Sequence, residues 1–253
     1  MGQGESLGPF ALTEYNENQM TGNIVAEKNK ECVILLHGLA RSSHSFSIME
    51  EALIKAGYYV LNVDYPSRKQ PIEVLVRDYV ANIVDECKAM RHKRIHFVTH
   101  SMGGILIRHY LANHLLDNLG HVVMLSPPNQ GSEVVDVLDN FPGFYALNGP
   151  AGMQLGTSVD SLPNRLGPVD YSVGVITGNR SINLLLSMLI PGDNDGKVSV
   201  ERAKVGGMSD FLVLPHTHPM IMRTTSVIKQ TMSYLQNGQF YRGNPAQKET
   251  GIQ

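Results

Sequence analysis

A chain of 253 residues with 42% apolar and 17% charged side chains has the make-up of a globular protein with a sizeable core, and a formal net charge of −2 gives no basic field for nucleic acid. Tryptophan is absent, so stacking platforms for bases are sparse too and nucleic-acid binding is disfavoured. The longest apolar runs, at residues 33–36 and 184–190, are far too short to span a bilayer, and no integral membrane segment is expected.

At the N-terminus, Met1-Gly2-Gln3-Gly4-Glu5-Ser6 matches the letters of a myristoylation signal. That pattern is permissive and nothing polybasic lies near it, so a chance match or a cloning remnant is the plainer reading. If Met1 is the natural start, the lack of a basic-then-apolar leader points to the cytoplasm; a removed signal would make the protein secreted or periplasmic.

Apolar, β-rich runs then alternate with helical patterns, as in parallel strands joined by crossover helices. Strands are expected over Cys32 to Leu36, Tyr58 to Val63, Ile95 to Val98 and His121 to Leu125, with two more near Tyr171 to Ile176 and Phe211 to Leu214. Between the second and third, Pro71 suits a first helical turn, and Ile72, Leu75, Val76, Tyr79, Val80, Ile83, Val84 and Cys87 recur at helical spacing. Residues Ile105 to Leu116 are apolar almost all round, as expected of a helix buried behind a central strand. The last helix, about Thr225 to Leu235, carries Val227, Ile228, Met232 and Leu235 on one side and ends at Asn237-Gly238, a C-cap pair, after which residues from about Arg242 are expected to fray. Cys32 and Cys87 both lie in apolar settings and read as buried free thiols rather than a disulfide. The expected architecture is one α/β domain over residues 1–253, a mostly parallel sheet of about six strands with helices on both faces.

Residues 129–168 interrupt this regularity. They are rich in glycine and proline yet carry Phe141, Phe144, Tyr145, Leu147, Met153 and Leu155. An excursion of that length without secondary structure of its own usually binds or covers something, so a short cap or lid is expected there, with a hydrophobic plug completing the core as the plainer alternative.

The sharpest local signal is His96-Phe97-Val98-Thr99-His100-Ser101-Met102-Gly103-Gly104. A strand ending at Thr99-His100 and a helix beginning after Ser101 would hold the serine hydroxyl out at the carboxyl edge of the sheet, where the helix N-terminus directs free amides and positive dipole. A serine N-cap alone would explain the helix start but not two glycines at the head of a buried helix, each costing about 1 kcal/mol relative to alanine. With Leu36-His37-Gly38-Leu39 after the first strand, Pro128-Asn129-Gln130-Gly131-Ser132 after the fourth, Asn194-Asp195-Gly196-Lys197-Val198, and His218-Pro219-Met220-Ile221-Met222 near the end, the chain resembles the α/β-hydrolase fold family, specifically its compact lipase and esterase members. The resemblance runs from about Cys32 to Leu235. It departs from the usual G-x-S-x-G in one place, where Thr99 stands for the first glycine.

The resemblance implies Ser101 as nucleophile, with an acid and then a histidine base following in chain order. Asp195 matches the acid by its place before Gly196; Asp193 is its rival, with a plain role as a turn former. His218, just before the apolar start of the last helix, matches the base, and His216 is its rival. The oxyanion hole would be the backbone amides of Leu39 and Met102. His100 is expected to project away from the Ser101 hydroxyl and His37 to brace the oxyanion loop. The remaining histidines His92, His96, His109, His114 and His121 have no metal-ligand spacing, and no metal or cofactor is implied.

The implied activity is hydrolysis of carboxylic esters of small molecules or lipids through an acyl-enzyme, with Phe144, Tyr145, Leu147 and Met153 lining the acyl pocket. No long amphipathic lid is visible, which favours an esterase or small lipase over an enzyme that needs a lipid interface. Thioesterases, amidases and perhydrolases share the machinery, and a hydrolase fold turned binding module is the alternative of a different class. The sequence carries no reading of oligomeric state.

Overall fold

The computed structural model describes residues 31–139, 141–182 and 187–243. The Met1–Ser6 motif, part of the apolar run at 184–190 and the tail from residue 244 lie outside these.

Six strands form one parallel sheet: β1 (Cys32–Leu36), β2 (Tyr59–Val63), β3 (Ile95–His100), β4 (Leu119–Leu125), β5 (Val173–Gly178) and β6 (Asp210–Leu214), in the order β2-β1-β3-β4-β5-β6. β1, β3 and β5 are buried along their whole length, which is why their sequences are near-continuous apolar runs rather than alternating ones. Successive side chains point to opposite faces. Cys32, Ile34 and Leu36 of β1 join one core layer, and Val33 and Leu35 join the other.

Helices cover both layers. The first layer packs under α2, three contiguous stretches (Ile72–Leu75, a π-helical turn Val76–Val80, and Ala81–Ala89), and under α3 (Met102–Asn113). The second packs under α1 (Ser47–Lys55) and the C-terminal helix Thr225–Asn237. That last helix closes on Gly238 in the left-handed conformation, φ 69°. Arg242 does not fray: its guanidinium donates to both oxygens of Asp210, at 2.8 and 2.6 Å.

Two further sequence expectations are corrected. Cys32 and Cys87 are joined in a disulfide and are not free thiols. Cys32 opens β1 and Cys87 lies near the end of α2, on the same core layer, and packing that helix on the sheet brings their Cα atoms to 6.5 Å. Residues 129–168 are not structureless. They contain α4 (Glu133–Leu138), α5 (Phe144–Met153) and α6 (Leu162–Arg165), each too short to show a helical period against the glycines and prolines between them. α5 is broken at Gly149 (φ 65°, ψ −174°), where a Cβ would fall 1.7 Å from the Arg68 carbonyl oxygen, so only glycine lets the two segments touch.

β1 is flanked by β2 on one side and β3 on the other, so the chain reverses its direction of winding between β1 and β3. In an open parallel sheet the crevice beyond the carboxyl ends of such a pair is where ligands bind.

Candidate active site

That crevice is built by the turn from β3 into α3. Ser101 lies between them with φ 52° and ψ −123°, left-handed for a residue with a side chain, a strain of about 1–3 kcal/mol that the surroundings must hold. Its amide donates to the Leu125 carbonyl at 2.9 Å and its carbonyl accepts from the Gly104 amide at 2.9 Å. At Gly103 a Cβ would lie 2.3 Å from the Leu36 carbonyl oxygen, so the helix head is pressed against the end of β1 and admits no side chain. Thr99, where the pattern has glycine, is accommodated because its side chain is buried toward β4, with Oγ1 3.5 Å from the Val123 carbonyl.

Ser101, Asp195 and His218 line one cavity of about 770 Å³. His218 Nδ1 donates to Asp195 Oδ2 at 2.8 Å, and the His218 amide donates to the Asp195 carbonyl at 3.0 Å, so the two loops are tied through side chain and backbone. Both residues are buried. The other carboxylate oxygen, Oδ1, accepts from the amides of Lys197 and Val198 at 3.0 and 2.9 Å. Burial alone would raise the Asp195 carboxyl, but the His218 ring, with help from the Val198 amide, outweighs it and holds the group below the ordinary carboxylate value. Of the rivals, Asp193 is exposed, and His216 is turned to the Ser226 hydroxyl, 2.7 Å from its Nε2.

The loop after β1 forms another wall. His37 Nδ1 donates to the Gly38 carbonyl at 2.9 Å, which leaves Nε2 to accept from the Tyr65 amide at 3.4 Å, and the ring is stacked on Tyr65 with centroids 3.9 Å apart. Burial pushes the His37 pKa down, so the ring is neutral and fixes this loop with a defined tautomer. Among the described residues, neither the Leu39 nor the Met102 amide is engaged in a backbone hydrogen bond. His100 makes no hydrogen bond with Ser101 and instead lies beside His218, ring centroids 4.8 Å apart, with Nε2 donating to the His218 carbonyl at 3.0 Å. Burial, then the proximity of His218, drives the His100 pKa well down. Nothing in the sequence signals this contact beyond the place of His100 next to Ser101.

The cover is only partly the one expected. Phe144, Leu147 and Leu155 line the cavity. Tyr145 does not, and Met153 borders a separate depression beside Asp136 and Gln154. Phe144 and Leu147, three residues apart on α5, share the helix face that borders the cavity, Phe144 half-buried and Leu147 at the exposed rim, and Tyr145 lies off that face. Val134, Val135 and Leu138 of α4 complete the apolar wall. Their spacing was the available signal, masked by the short helix. Arg41 and Lys197 stand at the cavity as its two cations.

Among the described residues no group of three or more His, Cys, Asp or Glu side chains could hold a metal ion, and no helix is long and apolar enough to cross a membrane.

A model of the alpha/beta hydrolase family matches residues 33–187. A comparison with curated proteins finds no match. Among solved structures the chain is similar to the lipase BlEst2 of Bacillus licheniformis in its mature form, with a TM-score of 0.63 and 20% identity over 83% of this chain and 93% of that one. It is also similar to the phospholipase PlaB of Legionella pneumophila, with a TM-score of 0.59 and 20% identity over 75% of this chain and 53% of that one. A monoacylglycerol lipase of Paleococcus ferrophilus gives a TM-score of 0.52 and 17% identity over 82% of this chain and 95% of that one. At such identities the likeness is one of fold.

Proposed function

The chain belongs to the alpha/beta hydrolase family, and on that premise we propose that it is a serine hydrolase that cleaves carboxylic esters through an acyl-enzyme on Ser101. The observation that carries this is the His218 Nδ1 to Asp195 Oδ2 bond of 2.8 Å at a cavity that Ser101 also lines. With Nδ1–H committed to an ionised carboxylate, His218 Nε2 is left as the base. It takes the Ser101 proton as Oγ attacks the acyl carbon, and the charge on the carbonyl oxygen is met by the amides of Leu39 and Met102. The tetrahedral adduct collapses, the C–O bond to the alcohol breaks, and the departing oxygen takes the proton from His218. A water deprotonated by the same nitrogen then attacks the acyl carbon, releasing the acid and returning the proton to Ser101.

The apolar side chains of α4 and α5, Val134, Val135, Leu138, Phe144 and Leu147, would hold the acyl chain. Lipid and small-molecule esters both suit such a wall, and the similarity to a lipase and a phospholipase agrees with it. The buried disulfide supports an oxidising compartment, the secreted or periplasmic of the two locations.

The test is hydrolysis of p-nitrophenyl esters from acetate to palmitate. Turnover is expected to fall by about 10³-fold or more in Ser101→Ala and His218→Ala and to persist in His216→Ala, with the preferred chain length reporting the cavity. Wild-type rates no higher than those of Ser101→Ala on every ester would overturn the proposal and move thioester, amide or pure binding roles ahead.

A further inference from the structure

A second cleft of about 380 Å³ adjoins the cavity at Arg41, which lines both. Its other walls include Ser67, Arg68 and Lys69 from the loop after β2, and no carboxylate lines it. Three cations in one small cleft, on a chain with a net charge of −2, are a local concentration and not a reflection of the overall field. None of the three forms an ion pair with a described residue. The nearby acid, Asp64, does not line the cleft, and its Oδ1 accepts from the Ser43 amide at 3.0 Å.

The cleft is held to the proposed reaction centre. Ser67 Oγ accepts from the Ala40 amide at 3.1 Å, which ties the loop bearing the cations to the loop bearing Leu39. Arg68 spends one donor on the Leu147 carbonyl at 3.3 Å, and its own carbonyl is packed against Gly149, so its backbone is fixed while its other N–H groups are free to face a ligand. Lys197, which also lines the cavity, adds a fourth cation, likewise without an ion-pair partner among the described residues.

We propose that this cleft is the subsite for a phosphate carried on the alcohol side of the ester substrate. The acyl chain lies against α4 and α5, the carbonyl sits at Ser101, and the leaving group passes over Arg41 so that its phosphate meets Arg68 and Lys69. The assignment rests on the ester-hydrolase reading for the placement of the carbonyl, but the cleft's preference for phosphate is a binding property that can be measured without turnover.

Binding of 1-lauroylglycerol 3-phosphate, 1-lauroylglycerol and glycerol 3-phosphate to the Ser101→Ala protein is to be compared by calorimetry, with and without Arg68→Gln and Lys69→Gln; both side chains are exposed, and circular dichroism checks the fold. The phosphate ester is expected to bind about tenfold or more tighter than its neutral counterpart, the factor of one charge-assisted hydrogen bond, and to lose that advantage in the double variant and at high salt. With Ser101 present, the ratio of kcat/KM for the phosphate ester over the neutral ester is expected to fall by the same factor. Equal affinities, an advantage that survives the double variant, or glycerol 3-phosphate binding as tightly as the phosphate ester would overturn the proposal, the last by making the cleft a site for free phosphates. A phosphate advantage lost in the double variant, with no hydrolysis of either ester, would support the cleft and sink the esterase reading alone.

Discussion

Arg108 is a buried guanidinium that the fold surrounds with oxygen atoms rather than with a carboxylate. Its Nη1 donates to the Asn129 carbonyl at 2.8 Å and to Asn129 Oδ1 at 3.3 Å, and its Nη2 to the carbonyls of Pro163 at 3.1 Å and Gly167 at 2.6 Å. One side chain on α3 therefore clamps both ends of the segment that covers the cavity. Arg108→Met keeps most of the volume and removes every donor. Three backbone carbonyls then lose a partner at about 2 kcal/mol each, about 6 kcal/mol together. Burial has, however, already pushed the Arg108 pKa down to about 10, so the charged side chain carries about 3 kcal/mol of desolvation that a thioether escapes. The expected net loss is about 3 kcal/mol, or roughly 6–12 °C in Tm for a domain of this size. Thermal melting checks the first, and limited proteolysis within 129–168 checks that the loss is centred on the cover. A change below about 1 kcal/mol with unaltered cleavage would refute the clamp, because the carbonyls would then have needed no donor.

The disulfide closes a separation of 55 residues, and that loop removes about 4 kcal/mol of unfolded-chain entropy, so dithiothreitol is expected to lower stability by up to this amount. Two titratable thiols in the unreduced, unfolded protein would contradict the bridge. Stability is also expected to decline in acid. Burial lowers the pKa of His37 and His100 and pushes His96 down to about 4, so below their ordinary value near 6.5 the unfolded chain binds protons that the fold does not. Each group then removes up to about 1.4 kcal/mol per pH unit as the pH falls from 6.5 toward its folded value. Urea midpoints that stay flat between pH 7 and 5 would rule this out. Finally, His100→Phe keeps the ring volume but deletes the donor to the His218 carbonyl; a stability loss of about 1 kcal/mol is expected, with a fall in ester turnover that His100→Gln partly restores. Unchanged kcat in His100→Phe would show that this contact does not position His218.

The sheet was legible because a parallel strand buried on both faces leaves unbroken apolar letters, as in Cys32–Leu36, whose limits the sequence places correctly. Its ends were less so where buried polar residues continue a strand. The apolar run of β3 stops at Val98, and it is the serine turn after it that places Thr99 and His100, both buried, at the end of the strand. α3 stops at Asn113, short of the apolar Leu115 and Leu116 that extend its pattern, because His114 is already extended at φ −139°. The disulfide could not be read from spacing, since it depends on which face of α2 meets which face of β1.

For the candidate site, the sequence left two pairs of rivals two residues apart, and what separates each pair in the structure is direction. Asp193 and Asp195 flank Asn194, and only the folded turn, in which Asp195 Oδ1 takes the amides of Lys197 and Val198, aims one carboxylate inward and leaves the other in solvent. His216 and His218 are separated in the same way, by the Ser226 hydroxyl that captures the first. The basic cleft was hidden for a different reason. Arg41 lies in the loop after β1, and Arg68 and Lys69 in the loop after β2, far apart in a chain whose charges nearly cancel. β1 and β2 are adjacent and parallel, paired from Cys32 with Tyr59 to Leu36 with Val63, so both loops must leave the sheet at the same edge. That topological fact makes the three cations neighbours, beside the edge from which Ser101 also emerges. A charge census along the sequence is blind to it, whereas the strand order requires it.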